Sequence, residues 1–224
     1  MATGSGRRGD RPALTREKIV DAAVRVADAG GATAVSMRNV GKELGVEAMS
    51  LYHHIAGKEA LLDALVDRIF ADIALPDPDR PWREAMRDRA ASARDVLARH
   101  PWALGLLDSR TTPGPALLRH HDTVLGCLRG AGFSIALTAH AISVIDAYVY
   151  GFVLTETSLP FPAENEVEDV AGGLLDAMPD GGYPHLAELI TEHALVPGYS
   201  YAEEFGYGLE LVLDGLEERL ARSR

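Results

Sequence analysis

The stretch Val35–Ile55 reads VSMRNVGKELGVEAMSLYHHI and leads within two residues into Lys58–Leu65, KEALLDAL. Ser36 is a good N-cap, Met37, Val40 and Leu44 fall on one helical face, and Gly45 stands where a left-handed residue ends a helix. A second short helix, Ala48 to His54, follows at once. Val46, Leu51 and Ile55 turn inward, leaving Ala48, Met49, Ser50, Tyr52, His53 and His54 outward or on the flanks. Two short helices around a glycine turn, backed by a longer helix, predict a helix-turn-helix, in which the first helix crosses a DNA backbone and the second enters the major groove. A Tyr and two His turned outward together are unusual for a face that meets only water.

Working outward, Thr15 is placed to cap a first amphipathic helix carrying Ile19, Ala22, Ala23, Val26 and Ala27, and Gly30-Gly31 should stop it. Lys58 opens a longer helix whose Leu61, Leu62, Leu65, Val66, Ile69, Phe70 and Ile73 form a continuous stripe, ended by Pro76-Asp-Pro78. These elements define a head over 14–73, preceded by a flexible basic arm, 1–13, with Arg7, Arg8 and Arg11. A body over 80–224 follows. Pro81-Trp82 opens a helix to about His100, Pro101 starts a short one, and Thr111–Pro115 marks a loop before a helix to Arg129. The most apolar helix spans about 134–158, a weak helix about 170–178 and a short one about 184–195. The last amphipathic helix begins at a capping box, Ser200-x-x-Glu203. No strand pattern stands out, so the expected fold class is all α: a three-helix head and a larger helical body.

With 224 residues, 47% hydrophobic and 25% charged, the chain has enough apolar matter for one small and one larger domain. Its net charge of −11 alone argues against a nucleic-acid partner. The distribution says otherwise: residues 1–60 hold nine Lys/Arg against seven Asp/Glu, whereas 61–224 hold thirteen against twenty-six. The single cysteine, Cys127, excludes an intramolecular disulfide and a thiolate zinc cluster and fits a reducing compartment. With no apolar leader in Met1–Arg16, a cytoplasmic protein is expected. The run Ile135–Leu154 approaches membrane-spanning length, yet His140, Ser143 and Asp146 would be costly in lipid, so it reads as a buried helix. His53-His54, His120-His121, His140, His185 and His193 show no metal-ligand spacing, and neither a phosphate loop nor a nucleophile's context is present. No metal, cofactor or catalytic residue is expected.

Thr15-Arg-Glu-Lys-Ile-Val-Asp-Ala-Ala, Ser36-Met-Arg-Asn-Val, Leu44-Gly-Val, Ser50-Leu-Tyr-His-His-Ile and Lys58-Glu-Ala-Leu-Leu-Asp-Ala-Leu together resemble the TetR family of repressors over about residues 14–73. Val46-Glu47, Leu51-Tyr52 and Leu61–Leu65 resemble its tetracycline-repressor-like branch. The resemblance implies a homodimer on double-stranded, palindromic operator DNA, released by a small-molecule effector. It implies base or groove contacts from Met37, Arg38, Ala48, Met49 and Ser50, with Ser36 at the same helix start, and phosphate contacts from Tyr52, His53, His54 and Lys58. Physical chemistry agrees in part: Arg38 suits guanine, Ala48 or Met49 a thymine methyl, and hydroxyl or imidazole donors suit phosphate oxygens. The departure is that Ala48, Met49 and Ser50 bring no Arg, Lys, Asn or Gln to the reading helix.

In the body the resemblance rests on helix order and implies that helix 134–158 and the last helix pair with their dimer mates in a four-helix bundle. The residue pattern supports this separately. Leu137, Ala141, Val144, Tyr148 and Phe152 lie on one face, Ile135, Ile142, Val149 and Val153 on another, and two apolar faces need two partners. Ile142, Val149, Val153, Phe205, Leu209, Val212 and Leu216 are expected at the dimer interface. Trp102, Leu106, Leu117, His121, Leu125, Tyr148 and Phe152 are expected around an effector cavity. Helix Lys58–Ile73, shared between head and body, is the expected lever. The rival reading is a helical small-molecule-binding or scaffold protein without operator recognition.

Overall fold

A computed structural model of the chain describes residues 13–107, 112–159, 164–179 and 182–223, with only the helical backbone given for 164–169. The arm bearing Arg7, Arg8 and Arg11 lies outside the described residues. Helix α1 (Arg16–Ala34) starts where Thr15 accepts the Lys18 N–H at 3.3 Å. Its regular helical backbone stops at Gly30-Gly31, as expected: Gly30 leaves helical geometry at φ −146° and Gly31 takes a positive φ of 73° that most side chains disfavour, before a last short turn to Ala34. Ser36 caps α2 (Met37–Leu44) by accepting the Asn39 N–H at 3.1 Å, and Gly45 closes it at φ 65°, ψ 36°. Helix α3 (Ala48–Leu51) is shorter than the sequence suggests. Tight turns carry the chain on from Tyr52, with the His54 and Ile55 N–H groups both bonded to the Leu51 carbonyl. Every residue of the expected stripe on α4 (Lys58–Asp72) is buried, and so is Ile73 beyond it.

The body comprises α5 (Trp82–Arg99), a 3-10 turn (Pro101–Ala103), α6 (Leu104–Leu107), α7 (Pro115–Gly130), α8 (Ile135–Ser158), α9 (Glu164–Asp176), α10 (Pro184–Leu189) with a π-turn (Ile190–Ala194), and α11 (Tyr201–Arg222). No strand occurs among the described residues. Helix α9 starts earlier than the weak helix expected from Val170. At the start of α11 the expected capping box is not made: Ser200 makes no side-chain cap, and the Glu203 N–H bonds the Ser200 backbone carbonyl instead.

Two hydrophobic cores divide the chain, and they meet inside one helix. The head core gathers Ile19 to Leu65, and the body core begins with Val66, the next residue of α4. Helix α8 crosses the middle of the body, packed on α5, α7 and α11. It is long and apolar enough to cross a bilayer, with a mean hydropathy of 1.5 over its most apolar window, yet only 33% of that window is buried within this chain. Thr138, Ala141, Ile145, Val149, Phe152 and Val153 face inward, whereas Val144, Ala147, Gly151 and Leu154 are exposed.

The dimer-interface set changes accordingly. Val149, Val153, Phe205, Leu209 and Leu216 are buried in their own subunit's core, and Ile142 and Val212 pack half-buried against it. On α11 the longest apolar stripe is the one its own body needs. Left uncovered are Tyr207, 71% exposed, and Leu211, 58% exposed.

Ion pairs fix α11 onto α5. Arg83 reaches Glu210, Asp214 and Glu217, and Arg87 reaches Glu210. Hydrogen bonds from Arg87, joined by Arg83, hold the Glu210 carboxyl down to about 2 against a usual 4.5. A carboxyl depressed on folding contributes stability above its unfolded value and loses it as pH falls through the folded one. Glu210→Gln is therefore expected to flatten the fall in Tm between pH 4.5 and pH 2, measured by circular dichroism against the parent chain. The group is more than a third exposed, so the difference will be small.

Candidate nucleic-acid interface and cavity

The head presents one polar face. Met49, the second residue of α3, is 72% exposed, and Tyr52, His53, His54, Arg38 and Lys58 are exposed around it. Arg38, Lys42 and Lys58 are exposed and enter no ion pair with another described residue. Ala48 and Ser50 are half-buried, their helix held against the head core by Leu51 and Ile55. Met37 belongs elsewhere. It is buried on the same side of α2 as Val40, so it anchors that helix and is withdrawn from any groove. Ser36 uses one of its two oxygen lone pairs on the α2 cap, which leaves its hydroxyl proton to donate.

Between α2 and α3 the approach is close. A Cβ on Gly41 would stand 2.9 Å from the Val46 carbonyl oxygen and 3.3 Å from the Ala48 backbone. The first helix of the pair sits against the second because residue 41 has no side chain.

The body has a cavity of about 360 Å³ between α4, α7 and α8. Phe70 of α4, Leu117 and His121 of α7, and Ser143, Asp146, Ala147 and Tyr150 of α8 line it, with Leu107. Of the seven residues expected at such a site, Leu117 and His121 are on its wall. Leu125 points outward from α7, 42% exposed. Tyr148 and Phe152 lie toward α11, where Tyr148 stacks on Phe205 and Phe152 on Tyr201. The Tyr148 hydroxyl donates to the Phe205 carbonyl at 2.9 Å, in the space a side chain on Gly208 would fill. Trp102 and Leu106 pack half-buried between the two cores.

Behind the wall lies a buried polar cluster. Arg89, 3% exposed, donates from Nε to His120 Nε2 at 3.1 Å and from its Nη1 to Asp146. An arginine only donates, so His120 Nε2 accepts and the proton sits on Nδ1, which is buried without a hydrogen-bond partner. Burial, with the Arg89 charge beside it, pushes His120 down to about 3, so the ring is neutral near pH 7. The described residues hold no cluster of three or more His, Cys, Asp or Glu placed to take a metal.

Residues 19–65 match the family model "Bacterial regulatory proteins, tetR family", and residues 75–220 match "Tetracyclin repressor-like, C-terminal domain". The chain belongs to the TetR family. Among relatives of this TetR protein, the HTH-type transcriptional repressor DrrR1 of Streptomyces coeruleorubidus is 35% identical, covering 97% of this chain and 82% of its own. The Escherichia coli tetracycline repressor protein class D is 29% identical over 92% and 91% of the two chains. Among solved structures, ActR of Streptomyces coelicolor superimposes in its apo form with TM-score 0.76, at 25% identity, over 94% of this chain and 98% of ActR. Its complex with actinorhodin gives 0.75 at 26%, over 92% and 96%.

In this TetR-family chain the head and body are joined by polar contacts as well as by α4. Asp28 of α1 accepts from His100 Nδ1 and Trp102 Nε1, both at 2.7 Å. Asp67 of α4 accepts the Leu117 N–H at 3.0 Å, capping the first turn of α7 from outside. Gly114 is required beside it, since a Cβ there would collide with the Asp67 carboxyl. The sequence reading missed Phe70, Asp146 and Tyr150 on the cavity wall. Asp146 did carry a signal, as the sole acid in the apolar run Ile135–Leu154.

Proposed function

We propose that this TetR-family regulator is a repressor that grips a palindromic operator as a homodimer and releases it when a small molecule occupies the α4–α7–α8 cavity. One observation carries the reading: α4 places Leu61 and Leu65 in the core that holds α3 and, one turn further on, Phe70 on the cavity wall. A ligand that pushes on Phe70, or on Leu117 and so on its Asp67 cap, displaces the helix that sets the reading head. Two heads on one duplex face must stay about 34–36 Å apart to meet successive major grooves, so a small rotation of α4 is enough to spoil the match. The repressor DrrR1 and the actinorhodin-bound ActR support this assignment by likeness.

The partner copy covers what a single chain leaves uncovered, namely Val144, Gly151 and Leu154 of α8 with Tyr207 and Leu211 of α11. Leu211→Glu puts a charge into that apolar face, and we expect it to shift the protein from dimer to a 24.0 kDa monomer in sedimentation at micromolar concentration. A variant that stays dimeric would remove this face from the interface.

Operator binding is tested by titrating duplexes from the promoters of the gene and its neighbours at several salt concentrations. Retention that weakens linearly in log K against log salt is expected. Lys58→Ala should lower affinity several-fold on every duplex and reduce the salt slope by about 1. Indifference of the parent protein to all these duplexes would favour the scaffold reading.

A further inference from the structure

We propose that the α4–α7–α8 cavity selects a flat aromatic ligand that donates a hydrogen bond, from a phenol or an ammonium, to the Asp146 carboxylate, and disfavours one whose polar end is a carboxylate. This rests on reading the cavity as the effector site and names the chemistry it accepts. About 360 Å³ lies at the small end of ligand sites and holds two or three fused rings. Phe70, His121 and Tyr150 supply aromatic walls, and Leu117 an aliphatic one.

The polar layering decides the sign. Asp146 is on the wall, while Arg89 and His120 are behind it. The guanidinium that an anionic ligand would seek is already engaged by His120 and by Asp146 itself. An anion entering the cavity meets the carboxylate first, and no Lys or Arg stands on the wall among the described residues. His120, neutral near pH 7, adds no positive charge. His121 donates from Nδ1 to the Leu117 carbonyl at 3.1 Å, and in the tautomer protonated there Nε2 is a second acceptor. A donor fits this arrangement without releasing Arg89, because a carboxylate has about four lone-pair sites and the guanidinium does not fill them.

Three bicyclic probes of one shape test this on the full chain without DNA: 2-(aminomethyl)naphthalene, 2-naphthol and 2-naphthoate, titrated by naphthalene fluorescence. The ammonium is expected to bind about tenfold or more tighter than naphthoate, with naphthol between them. Asp146→Asn is expected to erase the preference of the ammonium over naphthoate. The ranking on the parent protein stands whether or not that variant folds well. Tighter binding of naphthoate, no saturable binding of either donor, or a preference that survives in a folded Asp146→Asn protein overturns the proposal. Operator release by the same probes is measured separately: Asp146-dependent binding that leaves the duplex complex intact counts against the repressor reading and for the ligand chemistry.

Discussion

Arg89→Ala is expected to lower the melting temperature by about 10 °C, the largest stability effect of any single polar substitution in the body. The guanidinium is 3% exposed and serves two partners, the Asp146 carboxylate and His120 Nε2. Removing it leaves a carboxylate at the edge of an apolar core without its counter-charge and an imidazole nitrogen without its donor. Breaking a buried ion pair from one side costs about 3–5 kcal/mol, and in a chain of this size each kcal/mol moves Tm by about 2–4 °C. The double replacement Arg89→Met with Asp146→Leu should recover much of that loss, because removing both charges leaves none uncompensated. Thermal melts of the single and double variants decide it. A single variant melting within about 2 °C of the parent would mean that water reaches the pair and screens it.

Gly41→Val is expected to reduce operator affinity by about 100-fold, or about 2.7 kcal/mol, while leaving probe binding in the body within about twofold. Even the first added carbon would stand 2.9 Å from a backbone oxygen and 3.3 Å from the start of α3. Neither neighbour is a flexible side-chain end that can swing aside. The two short helices must separate, and a separated α3 no longer holds Met49 and Tyr52 where the proposed operator contact needs them. Gel-shift titration beside far-ultraviolet circular dichroism separates this from unfolding. Operator affinity within threefold of the parent, with the helical signal unchanged, would show that α2 and α3 can part without consequence for reading.

Most of the head could be read from residues because its signals are local. A cap at Ser36, a left-handed Gly45 and inward Leu51 and Ile55 leave one arrangement. Met37 shows how two lines of reasoning can conflict: the resemblance placed it at DNA, whereas helical spacing placed it beside Val40, and the packing follows the spacing. The body was harder for a reason visible in α8. A helix apolar on most sides gives no phase, so its sequence cannot say which stripe its own subunit claims, and Val149 and Val153 proved to be inside. On α11 the strongest stripe reads as a dimer seam, yet Phe205, Leu209 and Leu216 are buried within their own chain, where they cover the body core. The cavity escaped the sequence because its wall is assembled from three helices far apart in the chain. In the sequence Asp146 reads as a cost to lipid insertion, whereas in the fold it pairs with the buried Arg89.

The seam between the two cores falls between Leu65 and Val66, within a single helix. A fragment ending at residue 73 would strip the cover from Val66, Ile69, Phe70 and Ile73 and carry a greasy tail prone to self-association. The parent should then melt in one cooperative step, and exchanging its reading module for another would require splicing at mid-helix in the same rotational phase.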